Sequence, residues 1–369
     1  MRSEVKIAVI FGIIITGGVG MITILFSSLD LEVKPTEITH DGSTFTNIDK
    51  SKFKKAPDLV GIAHYLNTTP KELADAIKGK VVLYDIWTYS CINCIRTLPY
   101  ITAWNEKYSD EGLLIIGIHS PEFEFEKNPA NVEMAIKKHS IVYPVVMDND
   151  LETWKAFENR YWPRKYIADD EGYIRYDHIG EGGYQETEKI IQKLLEERAI
   201  SLGLQIKSTE QLVNIEEFEH TNFRTPELYF GYKFAQGRNQ LGSSEGFKPD
   251  NTVAYSEPNN LELNKFYPIG DWKNLEDSME LESEIGTIRL QYNAKEVNIV
   301  TANSAQLEIF LDGLPISKED SGTDVDLESK IMVSASGLYN IISSKESSDH
   351  TLEIKINNPG FRIYTFTFG

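Results

Sequence analysis

Two cysteines three positions apart, the only cysteines in the chain, constrain its fold more than any other feature. Cys91 and Cys94 follow an apolar run at 81–86, which predicts a buried strand that ends at Trp87. The residues after Cys91 have the pattern of a helix that continues to about Tyr108. A dithiol between a buried strand and the first turn of a helix indicates an α/β domain.

The start of a helix gives the two sulfurs of this pair different chemistry. Cys91 lies beside unpaired backbone N–H groups at the positive end of the helix dipole, which favours the nucleophilic thiolate. Cys94 lies one turn further in, within reach to resolve a mixed disulfide and release the product. The pattern therefore predicts a redox-active disulfide, Cys91–Cys94, and no other cofactor.

Three other uses of a C-x-x-C pair are less compatible with the sequence. Haem attachment requires a histidine after the second cysteine, and position 95 is isoleucine. A zinc site needs two further ligands, but the chain has no second cysteine pair and no His-x-x-x-His segment. A structural disulfide between residues three apart closes a loop too short to add much stability. We therefore predict no metal site.

Strands and helices alternate through the first predicted domain, residues 57–198. Thr69 begins a helix as its N-cap, because proline and glutamate follow at the first and third helical positions. Residues 169–172 read as a hairpin turn between two apolar runs. This order predicts an α/β sheet with a mixed edge. The predicted strands are 81–86, 113–118, 142–147, 164–168 and 173–178, and the later helices are 131–139, 150–159 and 184–197.

An uncharged run of 20 residues at 7–26 predicts a membrane anchor. As a helix it spans the ~30 Å hydrocarbon layer. Basic residues precede the run and acidic residues follow it, so residues 1–6 are predicted to be cytoplasmic and both folded domains to lie outside the cell membrane. A cleaved signal peptide is the alternative, although its apolar core is usually shorter. Residues 27–56 are then a polar tether.

Composition excludes a further class of function. The chain has 369 residues, with 37 basic and 56 acidic side chains and a formal charge of -19. A nucleic-acid binder needs a basic face to displace counterions from phosphate, so no nucleic-acid partner is predicted. At roughly 150 residues per domain, the length predicts two domains and connecting segments.

The second predicted domain, 225–369, follows a mixed connector at 199–224. Short runs that alternate apolar and polar residues, separated by turn residues, predict an antiparallel β-sandwich. Its residues Tyr255, Tyr267 and Trp272 have two interpretations. They form an aromatic platform for a sugar or an extended peptide, or they pack in the core, and we favour core packing.

Several segments resemble one known family. They are W-T-Y-S-C-I-N-C at 87–94, G-I-H-S-P-E-F at 117–123 and R-Y-W-P at 160–163. In this order they are similar to the thioredoxin-like domain of DipZ-type proteins, relatives of the TlpA/ResA group. T-P-E-L-Y-F-G-Y at 225–232 also resembles the C-terminal region of that family. The resemblance implies a thioredoxin fold that acts as a thiol–disulfide oxidoreductase, followed by a carbohydrate-binding-module-like jelly roll.

The resemblance implies a role for Asp85, six residues before Cys91. It matches the buried acid of thioredoxins, which accepts the proton of the resolving thiol on Cys94. A carboxylate within an apolar strand has a raised pKa and exchanges protons near neutral pH. An exposed acid at the end of a strand is the alternative interpretation.

Other candidate site residues lie at three places in the chain. Pro163 matches the cis-proline that faces the dithiol in this family and shapes a substrate groove. Trp162 and Trp87 are predicted to serve in packing and as apolar surface for a substrate, and not as catalytic groups. His119 and Glu122 follow the second strand and are candidates for a proton relay, although an ordinary capped loop is the simpler interpretation.

The predicted function is an extracytoplasmic thiol–disulfide oxidoreductase that reduces disulfides in exported proteins. The resemblance implies a separate membrane electron donor of the CcdA/DsbD type, because this chain has one predicted span. One alternative is a surface protein that binds a glycan or a protein through its β-sandwich. Another is a thiol peroxidase, suggested by Thr88 three residues before Cys91, although the proline usual in that motif is replaced by Tyr84.

Overall fold

A computed structural model describes residues 49–205, 211–218 and 224–369, and Lys50–Gly369 form one compact unit. The predicted anchor at 7–26 and the first part of the predicted tether lie outside these residues. Among the residues described, no helix is both long and apolar enough to cross a bilayer.

The end of the predicted tether belongs to the folded unit. Lys50 forms an ion pair with Asp169 at 3.1 Å, and Lys55 pairs with Tyr173 in an antiparallel β-bridge. Residues 50–56 are therefore fixed against the hairpin turn that follows the fifth strand, because their lysines meet acidic and aromatic side chains there.

A six-stranded mixed sheet forms the centre of the first domain, in the order β1-β4-β3-β2-β5-β6. Strands β2, β3 and β4 are parallel, and β1, β5 and β6 are antiparallel to their neighbours. Helices α2 and α3 provide the two crossovers that parallel neighbours require. The elements are β1 His64–Leu66, α1 Pro70–Ala76, β2 Val81–Trp87, α2 Ile92–Tyr108, β3 Leu113–His119, α3 Pro129–Lys138, β4 Val145–Met147, α4 Glu152–Ala156, β5 Arg164–Ala168, β6 Ile174–Ile179 and α5 Tyr184–Ser201.

Two elements are shorter than the sequence predicts. The strand predicted at 142–147 begins only at Val145. The Asn67 side-chain amide donates hydrogen bonds to the carbonyl groups of Ile141 and Tyr143, and these bonds hold the preceding segment as a loop. The helix predicted at 150–159 is only Glu152–Ala156. This helix begins late because Leu151 has a left-handed φ of 57°.

The two faces of the sheet bury different sets of side chains. Val81, Leu83 and Trp87 of β2 pack against α2 and α5, whereas the alternate residues pack with α1 and α4. Asp85 has the same parity as the first set and is 1% exposed, so its carboxylate faces α2. Strand β2 thus places a buried carboxyl group beneath the helix that carries the dithiol.

The predicted capping box at the start of α1 is present, and it leads to a prediction. The Thr69 hydroxyl accepts the Glu72 N–H at 3.3 Å, and the Glu72 carboxylate accepts the Thr69 N–H at 3.0 Å. Thr69→Ala should lower the local unfolding free energy of α1 by about 1 kcal/mol. Amide hydrogen exchange in α1 should therefore accelerate, whereas Thr68→Ala, one residue outside the box, should leave it unchanged.

The C-terminal region is all-β, and its strands are joined along one path in the order β13-β12-β15-β11-β16-β10-β9-β8. Strand β14 pairs with β12, and β7 pairs with β16. Register shifts interrupt the long β11 and β15 pair. The strands are β7 Leu228–Tyr229, β8 Thr252–Tyr255, β9 Lys265–Asn274, β10 Met279–Leu281, β11 Ile285–Ala302, β12 Ala305–Leu311, β13 Leu314–Pro315, β14 Lys330–Val333, β15 Gly337–Asn357 and β16 Arg362–Phe368.

Strand β16 departs from the predicted alternation of buried and exposed residues. Nearly all of it is buried on both faces. Phe366 and Phe368 join the core of the β domain, whereas Tyr364 packs against Phe123 and Phe125 of the first domain, with ring centroids 5.0 and 4.7 Å apart. A register shift in the pairing of β16 with β11 lies at Tyr364, so this residue leaves the core face and forms part of an interface between the two domains.

The three aromatic residues considered for a ligand platform are buried, which confirms the core-packing interpretation. Tyr255 donates its hydroxyl hydrogen bond to the Asn274 side chain at 2.8 Å, and Trp272 donates to the Ile269 carbonyl at 3.0 Å. Tyr267 accepts the Glu262 N–H through its hydroxyl at 3.0 Å. Their polar atoms are engaged inside the domain.

Candidate active site

The dithiol lies at the start of α2, as the sequence predicts. Cys91 is the N-cap residue, and its Sγ accepts the N–H of Cys94 at 3.4 Å. Both cysteines are free thiols in this structure. Cys91 is partly exposed, whereas Cys94 is 1% exposed. The first sulfur is thus open to a partner, and the second lies behind it.

Cys94 is held in the thiol form by its surroundings. Burial raises the pKa of Cys94 well above its usual value, and the hydrogen bond with Cys91 and the nearby Asp85 carboxylate act in the same direction. A thiol of this kind attacks only after a base has removed its proton. The buried carboxylate nearby is therefore chemically relevant.

Asp85 has the properties that the sequence predicts for that base. Burial raises the pKa of Asp85 to about 6, although the charge of Lys165 opposes the change. Its Oδ1 has no hydrogen-bond partner among the described residues. A carboxyl group with this pKa exchanges protons near neutral pH, and the exposed interpretation is wrong because Asp85 is enclosed beneath α2.

Lys165 is a site residue that the sequence reasoning missed. It is paired directly with Asp85 across β2 and β5 and is 0% exposed. Its Nζ donates a hydrogen bond to the Gly180 carbonyl at 3.0 Å. Burial lowers the pKa of Lys165 to about 8, while the charges of Asp85 and Cys94 oppose this. The sequence does contain a signal for this residue, because Lys165 is a charged side chain within a strand that is otherwise predicted to be buried.

Pro163 directly precedes β5, at the end of the sheet where β2 leads into the dithiol. Ile86 pairs with Arg164, so Pro163 is next to Trp87, where the chain leaves β2 for Cys91. The peptide bond between Trp162 and Pro163 is cis, as the resemblance implies. Trp162 is partly buried and donates its indole N–H to the carbonyl of Ser120 at 2.9 Å, which orients its ring beside this end of the sheet.

Two candidates from the sequence are core residues in the structure. Trp87 is 0% exposed, so its ring offers no surface to a substrate. His119 is also buried, stacked on Tyr89 with the ring centroids 5.7 Å apart, and burial lowers the pKa of His119 to about 3. Its Nε2 lies 3.4 Å from the hydroxyl of Thr88. A neutral imidazole of this kind packs beneath residues 88–91, here named the dithiol loop, and does not exchange protons near pH 7.

Glu122, the other proton-relay candidate, lies in the interface between the two domains. Its Oε1 accepts the hydroxyl of Tyr229, at 3.0 Å, and the same hydroxyl lies 2.8 Å from the carboxylate of Glu227. Burial and the charge of Glu227 raise the pKa of Glu122. Its hydrogen bond therefore joins the first domain to the β domain.

The described residues contain no group of three or more His, Cys, Asp or Glu side chains placed to hold a metal ion. The chemistry that the described site offers is that of two thiols, a buried carboxyl group and a buried ammonium group.

Comparison with known proteins shows which family the chain belongs to. Residues 52–195 match the family model described as Redoxin, and residues 225–369 match the one described as thioredoxin like C-terminal domain. The thiol-disulfide oxidoreductase YkuV of Bacillus subtilis (strain 168) is 31% identical over 143 residues, which are 38% of this chain and 94% of YkuV. The chain belongs to the thioredoxin-like thiol–disulfide oxidoreductases.

Within that family the chain is similar to DipZ, which confirms the resemblance. DipZ of Mycobacterium tuberculosis (strain CDC 1551 / Oshkosh) is 32% identical over 316 residues, 85% of this chain and 43% of DipZ. The chain thus spans less than half the length of DipZ. The thiol-disulfide oxidoreductase ResA of Bacillus cereus is 28% identical over 40% of this chain and 82% of ResA.

Proposed function

We propose that the chain reduces disulfides of exported proteins outside the cytoplasm through the Cys91–Cys94 pair. The observation that supports this most is an accessible sulfur at a helix start, backed by a buried thiol and a buried carboxyl group whose pKa is about 6. These groups match the two nucleophilic steps and the one proton transfer that disulfide exchange requires.

Each proposed turnover transfers two electrons and two protons from the Cys91–Cys94 dithiol to a substrate disulfide. The Cys91 thiolate attacks one sulfur of a substrate disulfide, and the other sulfur leaves as a thiol after taking a proton. Asp85 takes the proton of Cys94, whose sulfur attacks Cys91 in the mixed disulfide and releases the second substrate thiol. The products are a reduced substrate and the Cys91–Cys94 disulfide. A membrane dithiol carrier of the CcdA/DsbD type then returns two electrons and two protons.

The proposed location and partners rest on the sequence. The apolar run at 7–26 supports a single-pass anchor with both domains outside the cell, and a membrane carrier is then within reach of the dithiol. In this proposal the C-terminal β domain is a jelly roll that binds or orients a partner. Tyr255, Tyr267 and Trp272 are buried, so these three residues do not form a surface platform for a glycan.

The test uses the full chain in detergent and two variants. We expect Cys91→Ser to lower the rate of disulfide reduction at least about a thousand-fold, to the level of the free thiol in the assay, because the attacking sulfur is lost. Asn93→Ser, between the two cysteines, is the matched control and should retain most of the activity.

The reduction potential of the pair decides the direction of electron flow. Equilibration against glutathione, followed by thiol alkylation, should give a value near that of thioredoxin, roughly -270 mV. A value near that of DsbA, about -120 mV, would make the protein an oxidant. If the pair shows no reversible redox transition, the proposal is wrong and the function would lie in the β domain. If the protein instead consumes hydroperoxide and this activity requires Cys91, it is a peroxidase.

A further inference from the structure

A second buried carboxylate, in addition to Asp85, lies next to the segment that carries Cys91. Glu126 is 0% exposed and lies in the loop between β3 and α3, residues 120–127, here named the Glu126 loop. Its Oε2 accepts the backbone N–H groups of Glu122 at 2.7 Å and Phe123 at 2.9 Å, and its Oε1 accepts the Ser90 hydroxyl at 2.5 Å. A buried carboxylate is tolerated only where such bonds replace water.

The hydrogen bond to Ser90 acts on the segment that carries the nucleophile. Ser90 is the residue before Cys91 and is itself buried, so its hydroxyl has lost solvent as a partner. Thr88 also contributes a side-chain hydrogen bond to Glu126. Glu126 thus fixes the short connection between the end of β2 and the N-cap sulfur, which in turn accepts the N–H of Cys94.

The Glu126 loop is held on its other side by the C-terminal β domain. Phe123 and Phe125 pack on Tyr364, and the Glu122 carboxylate accepts the Tyr229 hydroxyl. The N–H of Glu124 donates to Asp277 at 3.2 Å. A continuous set of contacts therefore runs from the β domain through the Glu126 loop to the residue beside the nucleophile.

The dithiol loop also contacts the β domain directly. The Tyr89 hydroxyl donates to the Ser336 carbonyl at 3.4 Å, and Arg96, one turn into α2, pairs with Glu296 at 2.8 Å. Residues on both sides of Cys91 in the chain thus contact the β domain directly.

We propose that Glu126 is a positioning residue for Cys91, and that the C-terminal β domain sets the geometry of the dithiol through the Glu126 loop. This inference rests on the proposed function, because it assigns a role in the same thiol chemistry. The bond between Ser90 and Glu126 holds the arrangement in which the Cys94 N–H meets the Cys91 sulfur. Loss of that bond should raise the free energy of the reduced dithiol relative to that of the disulfide.

The first test is Ser90→Ala, which keeps the buried carboxylate and removes only its partner. We expect the equilibrium constant for oxidation of the dithiol by glutathione disulfide to rise about tenfold, since charge-assisted hydrogen bonds are stronger than neutral ones. Tenfold corresponds to about 30 mV for this two-electron couple. Ser90→Thr, which retains a hydroxyl, should restore the wild-type value.

A thermodynamic cycle separates positioning from general stability. In a Glu126→Ala background, Ser90→Ala should have no further effect on the equilibrium constant, because the bond is already absent. Unfolding by urea is measured for each variant. If Ser90→Ala lowers stability but leaves both the equilibrium constant and the rate of Cys91 alkylation unchanged, Glu126 is a structural residue only and the inference is wrong.

The role of the β domain is tested with Tyr229→Phe, which removes the hydroxyl bonded to Glu122 and keeps the ring. The equilibrium constant should move in the same direction, about threefold, as for loss of a single hydrogen bond. Tyr232→Phe, whose hydroxyl bonds Asp250 on the same domain, is the matched control and should leave it unchanged. An unchanged constant for Tyr229→Phe would remove the β domain from the proposal.

These outcomes are distinguishable from failure of the proposed function. If the wild-type dithiol shows no reversible transition, the proposed function is wrong and this inference with it. If the wild type cycles normally but Ser90→Ala and Tyr229→Phe match it, only the inference is wrong.

Discussion

Replacing Cys94 with serine is expected to stop disulfide exchange at the mixed disulfide. Cys94 is 1% exposed and lies directly behind Cys91, and in the proposed mechanism it attacks the mixed disulfide as an intramolecular nucleophile. Well-oriented groups of this kind have effective concentrations far above the millimolar level of a free thiol, and the release of product should slow at least about a thousand-fold. The measurement is non-reducing electrophoresis of the enzyme after mixing with a disulfide-bonded protein substrate.

The variant should accumulate a covalent enzyme–substrate adduct that dithiothreitol releases. Cys91→Ser is the control and should form no adduct, because the open sulfur is missing. Rapid product release by Cys94→Ser, with no adduct, would mean that Cys94 is not the resolving thiol. An adduct in Cys91→Ser would reverse the roles of the two cysteines.

The local sequence was sufficient to predict the strand, the dithiol and the helix. The apolar run before Trp87 and the pattern after Cys91 are each contained within a few residues. The capping box at Thr69 is predictable for the same reason, because its two partners are three residues apart. Interactions of this range are decided by backbone geometry that neighbouring residues share.

The partners of the site's buried charges were not predictable in the same way. Asp85 meets Lys165 only because β2 and β5 align in one register, and Ser90 meets Glu126 only because β3 returns the chain to the dithiol. Neither register can be read from one segment alone. The alternation of glutamate and phenylalanine at 122–126 does not reveal these partners either, because Glu122 meets the β domain whereas Glu126 meets Ser90.

Burial on both faces of β16 illustrates the same limit. Its alternating sequence predicts that Thr365 and Thr367 face solvent, but both are buried, and Tyr364 is covered by the Glu126 loop of the other domain. An interface adds burial that a strand's own pattern cannot reveal, because the covering residues lie about 240 positions earlier in the chain. The same interface accounts for the place of Glu122.

Lys165→Met is expected to make the first domain more stable and a slower catalyst near neutral pH. Burial lowers the pKa of Lys165 from 10.5 to about 8, so folding carries the full cost of the buried ammonium below pH 8, and that cost disappears as the pH rises to 10.5. At about 1.4 kcal/mol per pKa unit this cost is about 3 kcal/mol. Loss of the bond to the Gly180 carbonyl offsets about 1 kcal/mol, which leaves a gain of about 2 kcal/mol at pH 7.

The catalytic effect has the opposite sign because it acts through Asp85. The pKa of Asp85 is raised from 3.8 to about 6, so its contribution to stability is present below pH 3.8 and is lost as the pH rises through 6. Without the ammonium of Lys165 the pKa of Asp85 should rise further, by about one pH unit. At pH 7 less of Asp85 is then ionised to accept the proton of Cys94. The pH profile of disulfide reduction should move upward by the same amount.

Urea unfolding and a pH–rate profile test both halves of this prediction. Lys107→Met is the matched control: this lysine pairs with the buried Glu188 at 3.0 Å, so its loss should lower stability and leave the pH profile in place. In an Asp85→Asn background, Lys165→Met should no longer move the profile, because the group through which it acts is gone. A Lys165→Met protein that is several kcal/mol less stable, with an unchanged profile, would make the lysine a structural ion. A stabilised protein with a shifted profile would mean that this fold retains a costly buried charge to keep Asp85 ready for the resolving thiol.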